Sequence, residues 1–322
     1  MPAHRFAAAV LLALGLAGLA WPARAGALSD SVAAQAAEMR SLIDASGARR
    51  RPSDLDDDDP GGTLVLPAGA RIERDIAYGS TAEQRLDAYI PAGATQAPLL
   101  VMVHGGAWMI GDKANPGVVA NKVGRWLPRG YILVSVNYRL VPRATPLEQA
   151  DDVARALALV QQRAASWGGD AKKLVLMGHS AGAHLVSLLA ADPAIGQARG
   201  VARWLGTVSL DSAAMDVVAT MQAPHYGFFD TVFKNDRAVW TQSSPLHRLS
   251  SAPQAPMLLV CSSKRDNACA QNRAFSAKAN GLGGRTTVLP VALSHREINQ
   301  DLGQPGEYSD AVDAFVKTLG LP

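Results

Sequence analysis

The chain has 322 residues, 48% of them hydrophobic and 18% charged, with a formal net charge of +3. That length and balance fit one large α/β domain or two smaller ones, and exclude a low-complexity or disordered chain. A charge so near zero gives no reason to expect nucleic acid or an anionic membrane as partner.

Residues 1–25 read as a leader. Met1 to Arg5 is short and positive, Phe6 to Trp21 is nearly all small or aliphatic, and Ala23-Arg24-Ala25 places small residues where a signal peptidase reads them. Cleavage is expected after Ala25, with export to the periplasm or beyond and no stable membrane insertion afterwards. Arg5 and Arg24 leave with the leader, so 29 positive residues face 28 negative ones in the mature chain.

Residues 26–70 are expected to be peripheral. Ala33 to Ile43 suits one amphipathic helix, and Arg49 to Gly62, with its run of four aspartates, reads as a solvated linker. From residue 71 to 322 no linker composition recurs, so one catalytic domain is expected there.

Its predicted elements alternate. Arg71–Tyr78 and Gln84–Ile90 suit an antiparallel pair. Leu99–His104 is a continuous apolar run, as a strand covered on both faces requires. Tyr131–Val136, Leu174–Met177, Leu205–Leu210, Met257–Val260 and Thr286–Val291 repeat the theme. Helical spacing follows Pro146, a helix begins near Ser180 and stops at Pro193, and Ser309–Leu319 suits a final helix. Strands alternating with helices imply an α/β fold with a mostly parallel, doubly wound sheet.

Gly178-His179-Ser180-Ala181-Gly182 joins the fifth of these strands to the next helix. A serine at the apex of a strand–turn–helix, with glycine two residues to either side, is the pattern of a nucleophile elbow. A serine hydroxyl needs a base, and the base an orienting acid, in the chain order serine, acid, histidine. Of seven histidines only His295, after the last strand, has that order and a loop position. Asp266, just past the strand that ends near Cys261, is the first candidate for the acid; Asp211 and Asp216, after the preceding strand, are the alternatives. Arg265, directly before Asp266, offers that carboxylate another pairing.

His104-Gly105-Gly106-Ala107-Trp108 follows a buried strand. Its glycine pair lets backbone N–H groups of Gly105 and Gly106 converge with that of Ala181 on a developing oxyanion. Trp108 is a candidate pocket wall or a core aromatic, and His179, beside the serine, a candidate substrate contact. Ser212 to Ser251 holds Met215, Met221, His225, Tyr226, Phe228, Phe229, Phe233 and Trp240, and is expected to cross or border the site as a short cap. In an exported protein the two cysteines, Cys261 and Cys269, are expected to pair and brace the loop between them.

Taken together, His104 to Trp108 with Gly111-Asp112-Lys113, Asn137-Tyr138-Arg139-Leu140, Gly178 to Leu185 and Ser294-His295 resemble the esterase branch of the α/β-hydrolases, over roughly residues 71–322. The resemblance is to the carboxylesterase, feruloyl esterase and arylformamidase-like group related to hormone-sensitive lipase. It implies an acyl-enzyme mechanism with no metal or organic cofactor. Ser180 would be nucleophile, His295 base, Asp266 acid, and Gly105, Gly106 and Ala181 the oxyanion region. The expected substrate is a carboxylic ester, short-chain or aromatic, as a small molecule or within a polymer. An amidase or formamidase on the same triad, and a non-catalytic binding protein on the same scaffold, are the rival readings.

Overall fold

Eight strands run along the chain as β1 (Arg71–Ala77), β2 (Arg85–Ile90), β3 (Ala97–Val103), β4 (Ile132–Val136), β5 (Gly169–His179), β6 (Gly206–Leu210), β7 (Met257–Ser262) and β8 (Thr286–Val291). They form one sheet in the order β1-β2-β4-β3-β5-β6-β7-β8 in the computed structural model, which describes residues 62–265 and 267–322. The leader, the expected helix at Ala33–Ile43 and most of the linker lie outside the described residues, as does Asp266. The β1–β2 and β2–β4 pairs are antiparallel and every later pair is parallel. This is the α/β-hydrolase architecture.

The apolar strand runs are explained by two cores, one on each face. Leu99, Val101 and Val103 of β3 enter one core, while Leu100 and Met102 between them enter the other. Strand side chains alternate across a sheet, so a strand covered on both faces has no polar side to show. Helices α1 (Pro116–Trp126) and α11 (Glu307–Thr318) cover one face; α2 (Pro146–Arg163) and α3 (Ala181–Ala191) cover the other. Leu64, Leu66 and Ala70, from the segment expected to be peripheral, also pack against the first of these faces.

Local chemistry sets the helix starts. Thr145 and Glu148 form a reciprocal capping box on α2, with Pro146 at its first position. Pro193 ends α3 as expected, but it also opens a further short helix, α4 (Pro193–Gln197), whose first N–H groups include one bound by Asp192. Proline at a first helical position loses only a donor that has no partner there anyway.

Between β6 and β7 the chain forms four short helices: α5 (Val217–Gln222), α6 (Phe228–Phe233), α7 (Arg237–Gln242) and α8 (Pro245–Arg248). This is the short cap expected from Ser212 to Ser251. Helix α9 (Ala268–Gly281) follows β7, and α10 (His295–Gln300) follows β8.

Candidate active site

Ser180 sits at the carboxyl end of β5 with φ 54° and ψ −115°, a region that L-residues rarely adopt. Its N–H donates to the Leu210 carbonyl at 2.9 Å, tying the elbow to the end of β6. Both glycines of the motif are sterically required. A Cβ on Gly178 would collide with the Gly182 carbonyl, and one on Gly182 would collide with the carbonyls of Val103 and His104. Ser180 is the residue before the first turn of α3, yet its hydroxyl makes no capping bond there. The hydroxyl is therefore left for the cavity that Ser180 lines.

His295 is the first residue of α10, after Ser294, which forms a capping box with Glu297. Its Nδ1 lies 2.6 Å from Asp211 Oδ2. Among the described residues the carboxylate on His295 is thus Asp211, an alternative to the expected Asp266, which itself lies outside them. Asp216 is elsewhere: its carboxylate caps α5 through the Ala219 N–H and meets His247.

Asp211 is fully buried and has φ 58°. Its Oδ1 accepts the Ser262 N–H at 2.8 Å, and its Oδ2 accepts Arg265 Nη1 at 2.7 Å beside His295 Nδ1. Burial by itself would raise the Asp211 carboxyl. The hydrogen bond from His295, the Arg265 charge and the Ser262 N–H outweigh it and hold the group far below the usual carboxylate range. An ionised Asp211 accepts only, so Nδ1 carries the proton and the Nε2 lone pair is left for a base. Arg265 Nη1 and His295 Nδ1 lie 2.9 Å apart because two donors share one oxygen.

The loop after β3 is held by its carbonyls. The Tyr138 hydroxyl lies 3.1 Å from the His104 carbonyl and 3.3 Å from that of Gly105, while His104 Nδ1 meets the Gly105 carbonyl at 2.7 Å. The His104 ring stacks on Tyr138 with centroids 4.5 Å apart. In a trans peptide C=O and N–H point opposite ways, so the N–H groups of Gly105 and Gly106 face away from this stack. Gly106 has φ 100°, and a Cβ there would strike the Ile110 carbonyl. Ala107 and Trp108 follow at φ 50° and 62° and line the cavity. Ala107, Trp108, Ser180 and Asp211 are four of the seven described non-glycine residues at positive φ, and all four line this cavity. Backbone strain is thus concentrated at one place, as functional sites often show.

The cavity measures about 340 Å³. Trp108, Tyr226, Phe228 and Phe229 form an aromatic wall; Thr220, His225, Arg265, Asn267 and Gln271 supply polar groups. Trp108 is both wall and core. Its indole N–H donates to His184 Nδ1 at 3.1 Å, and its ring meets Phe233 edge-on at 5.0 Å. His184 passes a hydrogen bond on, from Nε2 to the Ser243 carbonyl at 2.6 Å. Burial lowers this imidazole to about 4, so the neutral form with its proton on Nε2 satisfies both neighbours.

His179 is not a substrate contact. It is fully buried, and its Nε2 lies 2.9 Å from the His295 carbonyl. Its ring packs 4.5 Å from that of His295. Burial, then the neighbouring His295, push it well below an ordinary histidine, so the neutral ring donates to the His295 backbone. The elbow turns so sharply that adjacent residues part, Ser180 to the cavity and His179 to the interior.

Cys261 and Cys269 form the expected disulfide, joining the end of β7 to the first turn of α9 around the loop that carries Arg265. Among the described residues no cluster of three or more His, Cys, Asp or Glu side chains could hold a metal ion.

The profile of the BD-FAE family matches residues 86–274. A probable isoprenylcysteine alpha-carbonyl methylesterase, ICMEL2 of Arabidopsis thaliana, is 35% identical over 132 residues, 41% of this chain and 31% of that protein. Esterase LipQ of Mycobacterium tuberculosis is 31% identical over 242 residues, 66% of this chain and 53% of its own length. The chain thus spans between about a third and a half of these curated relatives. Among solved structures, esterase B from Lactobacillus rhamnosis superposes with TM-score 0.65 at 20% identity, covering 92% of this chain and 95% of that one.

Proposed function

Since the chain belongs to the BD-FAE family, we propose that it is a serine esterase that hydrolyses carboxylic esters through an acyl-enzyme. The observation that carries the proposal is the Asp211–His295 hydrogen bond at 2.6 Å in the cavity that Ser180 also lines. Ser180 Oγ attacks the ester carbonyl while His295 Nε2 takes its proton. The negative oxygen is received by the N–H groups of Gly105, Gly106 and Ala181, the last at the free amino end of α3. His295 returns the proton to the departing alcohol. Water then attacks the acyl-serine, with His295 again as base, and releases the acid. Asp211 stays ionised throughout and stabilises the imidazolium at each transfer.

The aromatic wall and modest volume favour a short or aromatic ester over a long triglyceride. The leader at residues 1–25 and the Cys261–Cys269 bridge support export of the enzyme to an oxidising compartment.

Ser180→Ala tests the reading. Wild type is expected to turn over p-nitrophenyl butyrate and to bind a fluorophosphonate covalently. The variant should fold, fail to label and lose roughly 10⁴- to 10⁶-fold in kcat. Full turnover by the variant would remove the assignment. A matched anilide cleaved faster than the ester would move it to amide hydrolysis.

A further inference from the structure

Helix α10 is only six residues long and carries His295 at its first position. Isolated, so short a helix is unstable, and its last four carbonyls have no partner within the helix. Here each one is occupied. The Glu297 carbonyl accepts the Asp301 N–H at 2.8 Å. That of Ile298 accepts the Tyr308 hydroxyl at 2.7 Å. That of Asn299 accepts Lys122 Nζ at 2.7 Å, and that of Gln300 accepts Asn121 Nδ2 at 2.6 Å.

Lys122 is the unexpected member. It is 1% exposed, on the buried face of α1 with Val118, Val119, Val123 and Trp126. Its amine also reaches Asn299 Oδ1 at 3.1 Å. Among the described residues no carboxylate lies within ion-pair distance of it. Asp301 acts on it from farther off, and burial dominates, lowering the amine to about 7. Burying an ammonium group in this way is unfavourable, and a methionine would fill similar space without that cost. Packing therefore does not account for a lysine here. Its position does: an amine whose N–H donors reach both Asn299 O and Asn299 Oδ1 at the carboxyl end of α10, where the carbonyls converge.

We propose that Lys122, together with Asn121 and Tyr308, is a positioning residue for catalysis, holding α10 by its carboxyl end so that His295 stays aligned between Asp211 and Ser180. The inference rests on the esterase reading above. At its other end α10 is held by the Ser294–Glu297 capping box and by His179 on the His295 carbonyl. The imidazole is thus set by contacts at both ends of one rigid turn. Lys122 touches no reacting atom, and its effect passes through the helix.

The test uses Lys122→Met, Lys122→Arg and Tyr308→Phe in the full chain, with kcat and KM on p-nitrophenyl butyrate and the thermal unfolding midpoint. Misplacing a catalytic group by about 1 Å is enough to lose roughly 100-fold in rate. Lys122→Met should lose roughly 10- to 100-fold in kcat, with KM within about twofold of wild type. Lys122→Arg, which keeps a donor, should recover part of that loss, and Tyr308→Phe should show a smaller loss in the same direction. Wild-type kcat per folded molecule in Lys122→Met, with only the unfolding midpoint moved, overturns the proposal. If Lys122→Met does not fold, Tyr308→Phe and Asn121→Ala decide: a lower kcat at constant KM supports the clamp, and wild-type kcat in both overturns it. Ser180→Ala run in parallel separates the two claims, because an active Ser180→Ala removes the esterase reading, whereas an active Lys122→Met beside an inactive Ser180→Ala removes only the clamp.

Discussion

The two halves of the site are held in different ways. Ser180 is placed by its own backbone: a strand end, a strained turn, and two glycines that let β5, α3 and the carbonyls of Val103 and His104 come together. His295 is placed by side chains brought from far along the chain. Asp211 lies 84 residues away, and Lys122 reaches Asn299 across 177. The local half is rigid because its geometry admits little else. The distant half is rigid only while several separate hydrogen bonds hold together.

With the nucleophile itself left in place, the largest expected effect is on the distant half. Asp211→Asn should lower kcat by roughly 10³- to 10⁴-fold while leaving the fold intact, because the amide no longer fixes the Nδ1–H tautomer or stabilises the imidazolium. Asp266→Asn, run beside it, should stay within about tenfold of wild type. The reverse ranking of the two, measured as kcat on a nitrophenyl ester, would return the acid to the loop after β7.

The local half breaks differently. Gly182→Ala drives a Cβ into the carbonyls of Val103 and His104, both backbone atoms with little freedom to move. Urea unfolding should show a loss of about 1–3 kcal/mol or more. Activity should fall with it, since the displaced carbonyls, at the end of β3 and directly after it, lead into the Gly105–Gly106 loop. Unchanged stability would mean that the elbow yields more easily than its geometry implies.

A smaller effect sharpens the comparison through pH. The Lys122 amine stands at about 7 in the folded protein and near 10.5 as an ordinary lysine. Between those values the unfolded chain binds more protons than the folded one, so this group makes stability rise with pH across that window. Below about 7 the cost of charging the buried amine is fully present. The stability difference between wild type and Lys122→Met, measured by urea unfolding at pH 7 and pH 9.5, should therefore shift in favour of wild type at the higher pH. A constant difference would show that the amine is not perturbed by burial.

Much of the fold was legible in the chain. All eight strands are found where apolar runs predict them, although β5 begins at Gly169, five residues before the run at Leu174, because its first half is polar and half-exposed. Helices α1 and α9 have no clear signal in the sequence. The first mixes glycine, asparagine and a buried lysine into its sequence, and the second is rich in alanine and polar residues with a weak apolar face. Adjacency to Ser180 does not place His179, because a sharp turn sends neighbouring side chains in different directions. In the sequence Arg265 stands out only as a neighbour of Asp266, whereas its guanidinium meets Asp211.

What the chain determined by itself was what short segments enforce: the apolar strands, the glycines that permit the elbow, the serine at its apex, and a histidine shortly after the last strand, which the structure places at the first position of α10 rather than in a loop. Only the tertiary structure decided which described carboxylate meets that histidine and what holds its helix. Asp211, Asp216 and Asp266 all satisfy the chain order, and Lys122 stands on a helix that sequence patterning did not single out. Reach in three dimensions separates such residues, and reach is set by how β6, α1 and α10 pack, a property that no local stretch of the sequence contains.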